Sequence, residues 1–348
     1  MIVFNENIHQ FQLGNNFFNI DEDVSLALYE LDENYNWIME KTNIILEYGV
    51  IHEGVIHNII EALANFFKKV IRTLINIFSR NSSSSGGGGG GGSSKNSSTN
   101  NTNNVKEIKI KHHKFSNYDS DLFVQISKEL SMKFAKFNDD VFGEELLENM
   151  CSIDEDEELN QVLVRRMIIR LFSNNINEND AEEILTNADK RKDFIENHCN
   201  DIITHIIKKF NITDNNKYTE ATPELKEEIY NFIIGDEKEF TYTKTDASKI
   251  NNDLSKDRKN KEELFKHITL YRRNSEDSIK SMKRYEGYIQ EYNRNTKIEK
   301  VMTLILQVAS SICKEVSYIL IDIFTVVNKS ISTHIDYEEK VLNKLNEL

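Results

Sequence analysis

The sequence predicts a mainly α-helical protein: a helical bundle with a long C-terminal antiparallel helical hairpin and a separate N-terminal amphipathic helix. At most one or two short strands are expected. Three observations carry this prediction. The 348 residues include a single proline, Pro223, and seven of the 13 glycines fall in one run, Gly86 to Gly92, so the remainder holds few helix breakers. Apolar residues recur at helical spacing over long stretches. Near the C-terminus a 4–3 apolar repeat is sustained from Ile298 to Val326.

Composition sets the outer limits. With 39% hydrophobic and 29% charged residues, the chain falls among soluble globular proteins and away from collagens, integral membrane bundles and fully disordered chains. The net charge of −14 argues against wholesale binding to a nucleic acid backbone. Cys151, Cys199 and Cys313 are widely spaced and form no CxxC pair, which points away from a disulfide framework or a zinc module and toward a reducing compartment. The N-terminus lacks the basic and apolar regions of a secretory signal. The longest strongly apolar run without a charge, Val301 to Cys313, has 13 residues. A spanning helix needs about 20, so none is expected.

Residues 1–50 form an acidic leader, with nine acids against the single base Lys41. Asp21 to Glu47 fits a helix with a broken stripe of Val24, Leu28, Leu31, Tyr35, Ile38 and Ile45. Residues 51–80 carry the clearest periodicity of the N-terminal half. Ile56, Ile59, Ile60, Leu63, Phe66, Phe67, Val70, Ile71, Leu74, Ile75 and Phe78 share one face, and every charge after Glu61 is positive: Lys68, Lys69, Arg72 and Arg80. A face of this size must be covered, because each large apolar side chain is worth ~1.5–3 kcal/mol when buried. Protein is one cover. An anionic membrane interface, with Lys68, Lys69 and Arg72 at the phosphates, is the other. The acidic leader is a third element that could mask the basic helix.

Residues 81–104, NSSSSGGGGGGGSSKNSSTNNTNN, contain no apolar side chain and one charge, so a disordered linker is expected. Residues 105–245 read as a helical domain with possible short strands at Val105 to Phe115 and Glu239 to Thr245. Within it, Ser120 to Phe137 and Phe194 to Phe210 have helical periodicity, and Val141 to Met150 fits a short helix. Ser152 to Glu155 fits a capping box, Asp180 fits a helix cap, and Pro223 suits a first helical position. His112 and His113 are adjacent and point to opposite sides of a strand, a poor metal pair. His198, Cys199 and His205 lie along one helix at loose spacing, which ordinary packing explains better than a metal. Residues 246–348 make the hairpin. Its second helix carries Ile298, Met302, Ile305, Ala309, Ile312, Val316, Ile319, Ile323 and Val326 in the 4–3 seam. Val301, Leu304, Val308, Leu320 and Val327 widen that face for more than one neighbour. Ser310 falls off the seam.

No GxxxxGK[ST], GxGxxG, HExxH, GxSxG or CxxC motif occurs, so no catalytic residue, cofactor or metal ligand is assigned and a non-enzymatic role is expected.

An acidic leader, an amphipathic helix over Ile56 to Ile75, a Ser/Gly/Asn tether and a helical domain ending in a seamed helix follow one another in this chain. The arrangement resembles internal proteins packaged in the heads of large tailed bacteriophages. That resemblance implies a virion component, located in the particle or the host cytoplasm, with processing after an aliphatic residue, any residue and Glu. Ile38-Met39-Glu40 and Ile45-Leu46-Glu47 match, which makes Glu40 and Glu47 the candidate processing positions. The implied partners are other virion proteins, or a second copy through the C-terminal hairpin. The resulting expectation is a phage virion or host-interaction protein whose helix 51–80 binds a membrane or a partner. Two alternatives accompany it: a membrane-active toxin or remodelling protein acting through residues 51–80, and a purely structural assembly protein.

Overall fold

The computed structural model describes residues 22–48, 55–79, 106–142, 162, 165–166, 168–169, 176–210, 223–292 and 296–348. The expected linker 81–104 and the capping box at 152–155 lie outside these residues, as does the short helix expected at 141–150 except for Val141 and Phe142, which end the helix that begins at Ser120. Among the described residues the protein is overwhelmingly helical. In chain order the elements are α1 (Glu22–Tyr48), α2 (Val55–Ser79), β1 (Glu107–His113), α3 (Ser120–Phe142), α4 (Glu178–Thr186), α5 (Ala188–Lys209), α6 (Pro223–Ile234), β2 (Glu237–Thr243), α7 (Ala247–Tyr292) and α8 (Thr296–Asn346). The strands pair antiparallel in register from Glu107 opposite Thr243 to His113 opposite Glu237.

Local chemistry explains several boundaries. Pro223 opens α6, where its missing N–H removes nothing from the helix. Asn177, rather than Asp180, caps α4. Its Oδ1 accepts from the backbone N–H groups of Asn179 and Asp180 at 2.8 and 3.0 Å, while the Asp180 carboxylate takes the Asn177 N–H at 2.9 Å. Asp180 thus sits at the third helical position and closes a capping box. Gly235 follows α6 at φ 68°, a left-handed conformation that stops the helix and turns the chain into β2.

The C-terminal hairpin is the frame. Helices α7 and α8 run antiparallel, with Lys261 Nζ donating to Ser332 Oγ at 3.0 Å and Asp257 facing His334 at 2.7 Å. The 4–3 residues Ile305, Ala309, Ile312, Val316, Ile319, Ile323 and Val326 are all buried. So are residues on the other sides of α8, including Ser310, Ser317, Leu320, Phe324 and Ser330. The helix is enclosed by α1, α2, α3, α5, α6 and α7. Ser310 therefore does not lie off the packed face. It is 2% exposed, and its hydroxyl donates to the Leu306 carbonyl at 2.5 Å. A residue outside a two-helix seam is still inside when the helix has neighbours all round.

The largest correction concerns the N-terminal helix, which is not separate. The α2 residues Ile59, Ile60, Leu63, Phe66, Phe67, Val70, Ile71, Leu74 and Phe78 belong to the same apolar core as α7 and α8. Phe67 packs edge-on to Phe134 of α3, with ring centroids 6.1 Å apart, and Phe78 edge-on to Phe324 of α8 at 5.9 Å. Asn328 Nδ2 donates to the Ile77 carbonyl at 2.7 Å, supplying a partner in the last turn of α2 where carbonyls have none within the helix.

Helix α1 packs against both α2 and α8. Gln307 Nε2 donates to Asn43 Oδ1 at 2.6 Å, Tyr35 and Ser311 hydroxyls meet at 3.2 Å, and Tyr318 Oη donates to Asp32 Oδ1 at 2.6 Å. These pairs descend α1 as they climb α8, so the two helices are antiparallel. Lys314 Nζ joins the Asp32 carboxylate at 3.1 Å and lies 4.4 Å above the Tyr35 ring. Burial and the Asp32 charge push the Tyr318 hydroxyl pKa up. No described helix is long and apolar enough to cross a membrane.

Candidate functional site

The residues that the sequence singles out as a binding face converge on the core. All the α2 stripe positions from Ile59 to Phe78 are buried except Ile75, which is half-buried; the side chain of Ile56 lies outside the described residues. Lys68 and Arg72 are exposed on the opposite face. Lys69 reaches Glu30 of α1 at 3.2 Å, so the leader does meet the basic face, through one partly exposed ion pair. Such a pair contributes at most about 1 kcal/mol; apolar burial holds the helix in place. Of the processing positions, Glu40 is exposed on α1 and pairs with Lys41 at 2.9 Å, while Ile38, at the matching aliphatic position, is 1% exposed. Glu47 lies in α1 with its side chain outside the described residues. A protease would meet this segment as packed helix, whereas nicking concentrates in exposed loops.

A second grouping lies at the far end of the hairpin, beneath the β-ribbon, and no sequence motif announces it. His334 and Glu338 are four apart on α8 and so share a face. Asp257 faces them from α7. His334 Nδ1 is 2.7 Å from Asp257 Oδ2 and 3.6 Å from Glu338 Oε2. Asp257 and Glu338 are each 3% exposed. Two buried carboxylates therefore converge on one imidazole nitrogen. That nitrogen can carry one proton, and only its contact with Asp257 is within hydrogen-bond distance. Glu338 Oε2 is left without a hydrogen bond. Burial first, then the charges of Asp257 and Asp253, push the Glu338 carboxyl up to about 8.

Aromatic rings wall this cluster. Tyr118 stacks on the His334 imidazole at 4.1 Å, and Phe115 meets its edge at 4.6 Å. Phe115 has φ 52°, a left-handed conformation rare for a bulky residue, and is fixed by its N–H to the Ile234 carbonyl at 2.8 Å. The Tyr118 hydroxyl is buried beside the Asp257 carboxylate and the Ser120 hydroxyl. On the outer side Tyr337 stacks on His112 at 3.7 Å, and Phe240 on the other side of His112 at 4.0 Å. His112 Nε2 lies 2.8 Å from the Tyr242 hydroxyl, which also contacts the Tyr337 hydroxyl. His112 is thus packed rather than solvated, and burial lowers its pKa. His113 Nδ1 meets the Gly235 carbonyl at 2.9 Å.

Chemically, such a cluster can share protons among its members or hold a cation. It combines residues far apart in the chain, of which only His334 and Glu338 are near in sequence. His205, considered above as a loose ligand, instead faces Glu129 at 3.1 Å on the surface, and the Glu129 carboxylate also pairs with Lys209 at 2.8 Å. The side chains of His198 and Cys199 lie outside the described residues. Comparisons with protein-family models, curated proteins and solved structures give no match.

Proposed function

We propose that the protein is a non-enzymatic, structural assembly protein: a helical bundle that keeps its amphipathic helix docked in its own core. One observation carries this reading. The apolar face of α2, the surface best suited to lipid or to a partner, is occupied by α7, α8, α3 and α1 of the same chain. Exposing it would return roughly nine large apolar side chains to water at ~1.5–3 kcal/mol each, as much as the whole stability of an ordinary domain or more. Protein, not lipid, is then the resting cover of this helix, and the outer faces of the bundle are what another molecule meets.

Vesicle co-sedimentation tests this. The full chain is expected to remain in the supernatant with both anionic and neutral vesicles. Sedimentation of the full chain with anionic vesicles at physiological salt would replace the assembly reading with the membrane-active one. The virion setting is the part of the proposal that rests on the order of segments along the chain. Mass spectrometry of purified phage particles tests it, with presence at stoichiometric amounts as the expected result.

A further inference from the structure

We propose that Asp257, His334 and Glu338 form a binding site for a single divalent cation of the zinc class, clamping the outer end of the α7–α8 hairpin. The three donor atoms lie within 4.8 Å of one another. In tetrahedral zinc sites with nitrogen and oxygen ligands at about 2.0–2.1 Å, neighbouring donors sit roughly 3.3 Å apart. The two distances from His334 Nδ1, 2.7 Å to Asp257 and 3.6 Å to Glu338, bracket that value. Opening the His334–Asp257 contact by about 0.6 Å and closing the His334–Glu338 one by about 0.3 Å brings both to that spacing.

The electrostatics argue in the same direction. A proton on Nδ1 satisfies Asp257 and leaves Glu338 Oε2, on a residue 3% exposed, aimed into the cluster without a hydrogen bond. A divalent cation in place of that proton satisfies all three donors at once and balances both carboxylate charges. One imidazole and two carboxylates suit zinc or a neighbouring first-row ion. Calcium, which takes six to eight oxygens, is poorly served by three protein ligands. The surroundings fit a metal centre too: Tyr118 and Phe115 hold the imidazole plane, and the His334 side chain is 14% exposed, which leaves a path for entry.

The test uses the full chain, stripped with a chelator and equilibrated by dialysis against Zn2+, with Ca2+ in parallel. One Zn2+ per chain is expected, with no comparable retention of Ca2+. Affinity should fall by roughly tenfold or more in His334→Gln and in Glu338→Gln, since loss of an outer-shell partner alone costs that much. It should be unchanged in Glu339→Gln, whose side chain points to Arg258 at 2.7 Å. Zinc-edge X-ray absorption of the wild-type protein should report one imidazole with oxygen donors and no sulfur, a readout that does not depend on the variants folding. Absence of stoichiometric Zn2+, unchanged affinity in both ligand variants, or a sulfur-containing shell would each overturn the assignment.

Discussion

Replacing Phe67 by alanine separates a helix built into the core from one that merely hangs beside it. Phe67 is fully buried, edge-on to Phe66 at 6.0 Å and to Phe134 at 6.1 Å, and Phe134 in turn lies 4.2 Å from Tyr271 of α7. The ring thus connects α2 to α3 and, through Phe134, to α7. A phenylalanine ring removes roughly 150–200 Å2 from water, worth about 4–5 kcal/mol at ~25 cal/mol per Å2. Core Phe→Ala replacements span about 3–5 kcal/mol, because the cavity only partly collapses. Phe67→Ala should therefore lower the unfolding free energy by about 3–5 kcal/mol, roughly a fifth or more of an ordinary domain's stability of about 5–15 kcal/mol. The neighbouring Lys68→Gln, on the exposed face, should stay within about 0.5 kcal/mol. Urea unfolding followed by far-ultraviolet circular dichroism measures both, and a single transition is expected because α2 shares its core with the hairpin. A Phe67→Ala loss below about 1 kcal/mol, or an early separate transition for α2, would refute the shared core.

Three further predictions follow from the same packing. Ile312→Asp and Ser310→Asp should both destabilise by several kcal/mol in thermal unfolding, since Ile312 is 0% and Ser310 2% exposed; a mild Ser310→Asp would restore the two-helix register. Cleavage within residues 81–104 should leave the two fragments associated during gel filtration, because α2 remains seated on α7 and α8 and touches α3 through Phe67 and Phe134; separation into two folded pieces would contradict the fold. The Lys209 ammonium, followed by His205, holds the Glu129 carboxyl down at about 2, against an ordinary value near 4.5. A depressed carboxyl contributes stability above its unfolded pKa and loses it as pH falls through the folded one. Glu129→Gln should thus flatten the stability profile between pH 4.5 and 2, by no more than about 1 kcal/mol at this one-third-exposed position, and a profile parallel to wild type would refute the pairing.

The helices could be read from the chain alone, since periodicity and breakers are local properties. The stripe from Ile59 to Phe78, the lone proline at Pro223 and the 4–3 repeat from Ile298 to Val326 each fix an element without reference to the rest of the chain. The possible strands at Val105 to Phe115 and Glu239 to Thr245 overlap β1 and β2, although nothing in either segment showed their pairing. Tertiary structure decided what covers each face. An apolar stripe reports only that it must be buried, and lipid, a partner or the chain's own core satisfy it equally, because the hydrophobic effect has no direction. The seam on α8 gave the same kind of partial answer: periodicity identified one packed side, whereas six neighbouring helices bury Ser310 and Ser317 on others. The Asp257–His334–Glu338 cluster was not read from the sequence, in which only His334 and Glu338 are near one another. Its third member lies 77 residues from His334, and antiparallel packing of α7 on α8 brings it to 2.7 Å. No one-dimensional spacing encodes that contact, because it is fixed by how the two long helices pack against each other.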